Sequence, residues 1–274
     1  MTKKNIRVAI AGGGDVIYDL VDKFPTDIQF DLFNVGKTNR EFNTNVNYVE
    51  ALDDQDVARL AVEDVVKGAD ILFKGLIQTH TLLKEVLQKK YRLVNSPVLS
   101  HVSVLQIPNH NRPILLTDAA MNIEPTIEQT QAIINNAVNV AQSLGIKRPK
   151  VALLSSAENF NPKMPSSVLG REMMIHYQNN PISAEVYGPI SLDLALSTEI
   201  AEEKNFHEPI AGKADILVVP NIDVGNVLYK SLTLFTETEI GGMIVGAKVP
   251  IVLTSRGDKL VNKKASLQFA LDVI

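Results

Sequence analysis

Short apolar runs rich in Val and Ile alternate along this chain with longer stretches whose apolar positions recur every three or four residues. These are the patterns of buried strands and of amphipathic helices. Ile6–Ala11, Gln29–Val35, Ala69–Phe73, Pro97–Ile107, Pro113–Leu116, Lys150–Leu154, Ala214–Pro220 and Val249–Leu253 read as strands. Val57, Leu60, Ala61 and Val65 place a helix over Asp54–Lys67, with Gly68 as its stop. Thr79 or Thr81 can cap a helix running through Leu87, and Thr126 opens another in Thr-x-x-Gln style. Asn34–Asn47 reads as a polar connection, and Tyr187–Leu196 as a turn entering a helix. Strands alternating with helices, with no repeat of fixed period, predict a layered α/β architecture with substantial parallel sheet.

Composition narrows the partners. The 274 residues are 45% hydrophobic, enough for one large domain or two lobes, and the net charge is −4. An acidic balance, with a pI near 5.8, argues against a nucleic-acid or anionic-membrane surface, so a small ligand is expected. The absence of cysteine removes disulfides, thiolate metal sites and a cysteine nucleophile. The apolar run after Lys3 and Lys4 is too short for a signal peptide, and no segment approaches ~20 uninterrupted apolar residues. A cytoplasmic protein without membrane contact is expected.

Candidate chemistry gathers where strands end, because open α/β sheets bind ligands at the carboxyl edge of their strands. Val249–Leu253 runs directly into Thr254, Ser255, Arg256, Gly257 and Asp258. Arg256 offers a planar fork suited to phosphate or carboxylate, and Ser255 can donate to an adjacent anionic oxygen. Gly12, Gly13 and Gly14 after the first strand admit a nucleotide reading, but Ile17 replaces the third glycine of the fingerprint, so a plain strand-to-helix turn is expected. Lys74, Thr79 and Lys84 follow the Ala69–Phe73 strand and can meet phosphate groups. Asp118 and Asn122 orient a ligand or fix their loop, and loop-fixing is the commoner role of such residues. Asn161 and Lys163 sit in a loop stiffened by Pro162 and Pro165, whose serines can cap the next helix. Asp193 stands near a helix start, and Asn221 and Asn226 lead into the helix bearing Tyr229 and Lys230. His101, between Ser100 and Val102, reads as a hydrogen-bonded core group.

Five collinear segments carry a family resemblance: TDAAMNIEPTIEQ at Thr117–Gln129, NPKMPSS at Asn161–Ser167, GPISLDLALS at Gly188–Ser197, ADILVVPNIDVGNVLYKSL at Ala214–Leu232 and VGAKVPIVLTSR at Val245–Arg256. They resemble the phosphate acetyl/butyryltransferases, on the phosphotransbutyrylase side. The match starts near Ala69 and covers about three quarters of the chain. The resemblance implies a two-lobed α/β/α fold of the isocitrate and isopropylmalate dehydrogenase type, with the active site in the interlobe cleft and a homodimer or higher homo-oligomer as assembly. It implies two lobes, 1–106 with 243–274 and an inserted 107–242. It also implies the reaction, acyl-CoA plus phosphate giving acyl phosphate plus coenzyme A, with no metal and no nicotinamide.

The chain departs from the pattern after the Ser-Arg pair, where Gly257-Asp258-Lys259 stands for the usual Ala-Asp-Ser of the butyryl branch. The position of the base proposed in the acetyl branch is Asn262, and Leu194 stands where Asn is expected. Asp258 or another group then takes the thiol proton. Acyl transfer needs an anion site, a donor for the carbonyl oxygen and a route for that proton, which assigns Arg256, Ser255 and Asp258 in turn. A free thiol, with a pKa near ~8.5, is a minor thiolate at neutral pH, so a neighbouring carboxylate helps the reverse direction. Without cysteine, direct transfer in a ternary complex is the economical route, an acyl-serine staying open. Butyryl-CoA is the favoured substrate. The alternatives are an acetyl-CoA enzyme, a nicotinamide-dependent dehydrogenase of related fold, and a family member that binds coenzyme A and phosphate without turnover.

Overall fold

A computed structural model describes residues 5–108, 110–254, 257 and 259–274. Ser255, Arg256 and Asp258 lie outside these described residues. The chain divides into two compact units, one made of Met1–Asn95 with Gly241–Asp272, the other of Ser96–Ile240.

The first unit opens with β1 (Ile6–Ala11), α1 (Asp15–Val21), β2 (Ile28–Val35), β3 (Asn45–Ala51), α2 (Asp54–Val66), β4 (Ile71–Lys74) and α3 (Thr79–Val86). The apolar runs pair in parallel, Ile6 opposite Ile28 and Val8 opposite Ile71. Val8, Ile10, Phe30, Leu32, Ile71 and Phe73 are buried, as near-continuous apolar strands covered on both faces should be. On α2, Asp53 caps the start by accepting from the Asp56 amide at 2.8 Å, and Gly68 at φ 114° ends it. A positive φ there is open to glycine at no steric cost.

The second unit contains β5 (Ser100–Gln106), β6 (Ile114–Thr117), α4 (Ile127–Ser143), β7 (Lys150–Leu154), α5 (Pro165–Asn179), β8 (Glu185–Ile190), α6 (Leu192–Leu196), α7 (Thr198–Glu203), β9 (Ile216–Val218) and α8 (Ile222–Phe235). Its strand order is β5-β6-β9-β7-β8. Strands β5 and β6 pair antiparallel, and β6, β9, β7 and β8 run parallel. Leu105, Leu116, Ala152, Ile190, Leu194 and Leu217 belong to its buried core. Helix α4 carries the capping box expected at Thr126, the threonine hydroxyl accepting from the Gln129 amide at 3.3 Å and the Gln129 side chain accepting from the Thr126 amide at 2.9 Å.

The chain then returns to the first unit through β10 (Glu239–Val245), β11 (Ile251–Leu253) and α9 (Leu260–Val273), completing the order β3-β2-β1-β4-β11-β10. Strand β11 lies parallel to β4, with Ile251 opposite Leu72 and Leu253 opposite Lys74.

Four expectations change. The polar stretch over 34–47 ends in a strand, β3, which pairs with β2 from Gln29↔Asn45 to Val35↔Ala51. Its side chains are mostly solvent-accessible, as an edge strand permits, so the apolar signal is thin. Tyr187–Leu196 is a strand before it is a helix: β8 runs to Ile190 at the edge of the sheet, where Pro189 removes no donor that the sheet needs. Neither Thr79 nor Thr81 caps α3, since Gln78 holds that position without a side-chain bond, and Met164, not a serine, precedes α5. Pro165 at the first position supplies the fixed φ that starts α5 instead.

Candidate functional site

In the first unit, the loop after β1 is closed by its own chain. The Gly12 amide donates to Phe33 O at 2.9 Å and the Gly13 amide to Asn34 Oδ1 at 2.9 Å, so two donors that a phosphate would use are already spent. Gly75 lies so near that a Cβ on it would fall 1.7 Å from Gly12 O, and a Cβ on Gly14 would meet Leu76 Cδ1 at 2.3 Å. The glycines serve close packing of the loops after β1 and β4.

Lys74 ends β4 as a buried side chain whose Nζ donates to Gly75 O at 3.1 Å and Ile77 O at 3.3 Å. Thr79 is exposed at the first position of α3, and Lys84 is exposed in its last turn. A second buried ammonium went unnoticed in the sequence: Lys263 on α9, whose Nζ donates to Thr254 Oγ1 at 3.4 Å. Thr254 directly precedes Ser255. No apolar stripe on α9 marks its buried face, which left Lys263 looking like any helix lysine. Buried cations are held only where polar partners compensate the lost water, so the ends of β4 and β11 are strongly polar places in an apolar sheet.

In the second unit the loop after β6 is fixed by its own side chains. Asp118 Oδ1 accepts from the amides of Ala120 at 3.0 Å and Met121 at 2.9 Å. Asn122 Nδ2 donates to Asp118 Oδ2 at 2.6 Å and to Leu99 O at 2.9 Å. His101 is buried beside it; burial pushes its pKa down, against the opposing pull of the Asp118 charge, so the neutral ring is favoured. Its Nδ1 lies 3.4 Å from Ser103 Oγ. Gly225 of α8 packs on this loop, where a Cβ would come within 2.8 Å of Ala119 Cα. The structure thus brings Asp118 and Asn122 together with the start of α8. There Asn221 is the cap, accepting from the Val224 amide at 3.0 Å, while Asn226 is exposed one turn on.

The loop after β7 uses hydroxyls. Ser155 Oγ lies 3.0 Å from Ser166 Oγ and 3.2 Å from Met164 Sδ, and Ser156 Oγ also reaches that sulfur at 3.2 Å. Asn161 Oδ1 accepts from the Lys163 amide at 3.0 Å, and the Asn161 amide donates to Ser167 Oγ at 2.9 Å. Both Asn161 and Lys163 are exposed. Asp193 is engaged within α6 and α7: Lys204 Nζ donates to it at 2.7 Å, Ser191 Oγ at 2.5 Å and the Leu194 amide at 2.9 Å. The lysine first, then the hydroxyl, hold its pKa at about 2.

Between these loops a groove of about 660 Å³ opens along α8. Ser155, Ser156 and Ser166 lie at one side with Leu154 and Leu192, while Val224, Val227, Leu228 and Ser231 form the helix wall. Asp223 supplies a carboxylate at the helix start. Among the described residues no group of three or more His, Cys, Asp or Glu side chains is placed to hold a metal ion.

The family model described as phosphate acetyl/butaryl transferase matches residues 37–266. The chain belongs to that family. A probable phosphate butyryltransferase of Bacillus subtilis (strain 168) is 42% identical over 228 residues, covering 82% of this chain and 76% of that protein. A phosphate acetyltransferase of Thermotoga maritima is 40% identical over 215 residues, covering 78% of this chain and 73% of that protein. The crystal structure of a branched-chain phosphotransacylase from Enterococcus faecalis V583 is 49% identical and superposes with a TM-score of 0.92, covering 98% of both chains. Membership in the acetyl/butyryl transferase family settles the choice between a transferase and a dehydrogenase of related fold.

Proposed function

We propose that the protein transfers a short acyl group between coenzyme A and inorganic phosphate, using butyryl-CoA and branched four- and five-carbon acyl-CoAs in preference to acetyl-CoA. The observation that carries this reading is the 49% identity, over 98% of both chains, with a branched-chain phosphotransacylase. A phosphate oxygen bonds to the acyl carbonyl carbon, the carbon–sulfur bond breaks, and the departing thiolate of coenzyme A takes up a proton. Arg256 clamps the phosphate through its planar fork, Ser255 donates to the carbonyl oxygen as it gains charge, and Asp258 handles the thiol proton. These three are assigned from the sequence. Buried Lys74 adds positive charge close to the phosphate, and exposed Lys84 and Lys163 attract the phosphates of coenzyme A, with Thr79 and Asn226 as polar contacts. Asp118, Asn122, Asn161, Asp193 and Asn221 act through the loops they hold. Transfer is direct, in a ternary complex of a cytoplasmic homo-oligomer that needs no cofactor.

The test is release of free thiol from butyryl-, isobutyryl-, isovaleryl- and acetyl-CoA with and without phosphate. Phosphate-dependent release with the longer acyl groups ahead of acetyl is expected. A higher kcat/KM for acetyl-CoA overturns the substrate, and binding of acyl-CoA with no phosphate-dependent release from any of them overturns the enzyme. Arg256→Lys, and more so Arg256→Ala, should cut turnover at least ~100-fold, the effect of removing one charge-stabilising donor, because lysine keeps the charge and loses the fork. Melting curves of both variants should match the parent.

A further inference from the structure

Of the lysines and arginines among the described residues, Lys74 and Lys263 are the buried ones, at 4% and 2% exposure. One ends β4 and the other stands in the first turn of α9, far apart in sequence, yet both belong to neighbouring strand ends. Strand β11 runs parallel to β4 with Leu253 opposite Lys74. The next residue, Thr254, is buried, and its Oγ1 accepts from Lys263 Nζ at 3.4 Å. Because side chains alternate along a strand, Lys74 shares the face of Leu253 while Thr254 turns to the other. The end of β11 is thus bracketed by an ammonium on each face. Helix α9 is held in that place by its next turn. Ser266 Oγ donates to Asn262 O at 2.8 Å and accepts from the Gly242 amide at 3.0 Å. A Cβ on Gly241 would fall 2.6 Å from Ala265 O, so helix and β10 lie backbone against backbone.

For a cation, the place of Lys263 is a poor one. Burial strips its water, and the first turn of a helix is the positive end of the dipole, here with no acidic residue in it. Methionine would fill the same space without either cost, and an apolar group of similar volume in place of a buried charge is commonly neutral or stabilising. Packing alone therefore does not account for a lysine. An anion arriving at the strand end does, because its charge offsets both costs. We infer that Lys263 is a positioning residue for phosphate, acting through Thr254: its ammonium fixes where the chain leaves β11 for Ser255 and Arg256, and its charge, with that of Lys74, deepens the positive field that phosphate meets there. The inference rests on the transferase reading, with Arg256 as the clamp. Inorganic phosphate is held at one small place, so a shift of that place weakens the phosphate half of the reaction. Acyl-CoA spreads its contacts along a long molecule and is little affected.

The test is steady-state kinetics of thiol release from butyryl-CoA with each substrate varied in turn, beside a melting curve for each variant. Lys263→Met should lower kcat/KM for phosphate at least ~10-fold through a raised phosphate KM, as loss of a supporting contact behind a site does. Its KM for butyryl-CoA should stay within about twofold of the parent, and its melting temperature should equal or exceed the parent's. Thr254→Val keeps the shape and removes the acceptor, so it should shift the phosphate KM in the same direction, and the double variant should be no worse than Lys263→Met alone. Lys264→Met, at the exposed neighbour on α9, should stay within about twofold of the parent in both KM values. An unchanged phosphate KM in Lys263→Met overturns the assignment, and so does an equal loss for both substrates with a lowered melting temperature, which gives the residue to packing. Should Lys263→Met not fold, Thr254→Val decides: a phosphate KM equal to the parent's overturns the assignment as well. A parent that releases no thiol in the presence of phosphate overturns the transferase reading and takes this inference with it, whereas an active parent with indifferent variants overturns the inference alone.

Discussion

The loops after β1 and β7 occupy the same place in their units, each following a buried parallel strand and leading to a helix, yet they do opposite things. After β1, three glycines let the neighbouring loop press in until Gly75 lies against Gly12 O, and the amides are spent on Phe33 and Asn34. After β7, Ser155 and Ser156 hold Met164 and Ser166 by their hydroxyls, and the groove beside α8 stays open. Glycine at a strand end is therefore a statement about how closely backbone can approach. What approaches, a phosphate or the protein's own chain, is decided by the donors left over.

The largest expected effect tests the closed loop. Gly75→Ala puts a Cβ 1.7 Å from a carbonyl oxygen, an overlap that backbone must move to relieve, so a loss of about 3 kcal/mol or more is expected. A melting temperature within a degree of the parent would show that this loop is not tightly packed. The serine loop should be softer. Ser155→Ala removes one partner from both Ser166 and Met164, at about 1 kcal/mol, and a cycle with Ser166→Ala should show coupling of roughly 0.5 kcal/mol or more. Strict additivity would mean that the two hydroxyls do not hold each other.

The smallest effect lies farther round the second unit, at Asp193. Its pKa is depressed to about 2 by Lys204 and Ser191, so the charged form stabilises the fold above the ordinary carboxylate range, and that contribution fades as pH falls from about 4 toward 2. Because the side chain is 39% exposed, solvent screening reduces the contribution to below ~1 kcal/mol. Asp193→Asn should lower the melting temperature by roughly 2 °C at pH 7 and by nothing measurable near pH 2. A difference that persists at pH 2 would assign the effect to packing.

The sequence made the central parallel strands plain because buried strands must be apolar throughout, as in IRVAIA and ILFK. It made Thr126 plain because a capping box is a local arrangement of two residues. Edge strands were harder: β3 carries asparagine on a solvated face, and β8 contains Pro189, each tolerable only because one side lacks a neighbour. Candidate site residues split similarly. Asp118, Asn161 and Asn221 proved to be bonded to backbone amides of their own loops, which is local and foreseeable. The burial of Lys74 and Lys263 depends on tertiary packing, and neither spacing nor composition encodes it.

One connection has a consequence in time. The second unit is a continuous stretch, Ser96–Ile240, whereas the first is completed only by Gly241–Asp272. Strand β11, which pairs with β4 laid down far earlier, leaves the ribosome after the whole inserted unit, on the order of ten seconds later at typical elongation rates. The nascent chain therefore folds from its middle outward: the inserted unit can close while β4 waits with one edge unpaired, an interval in which a chaperone has a bare strand to guard.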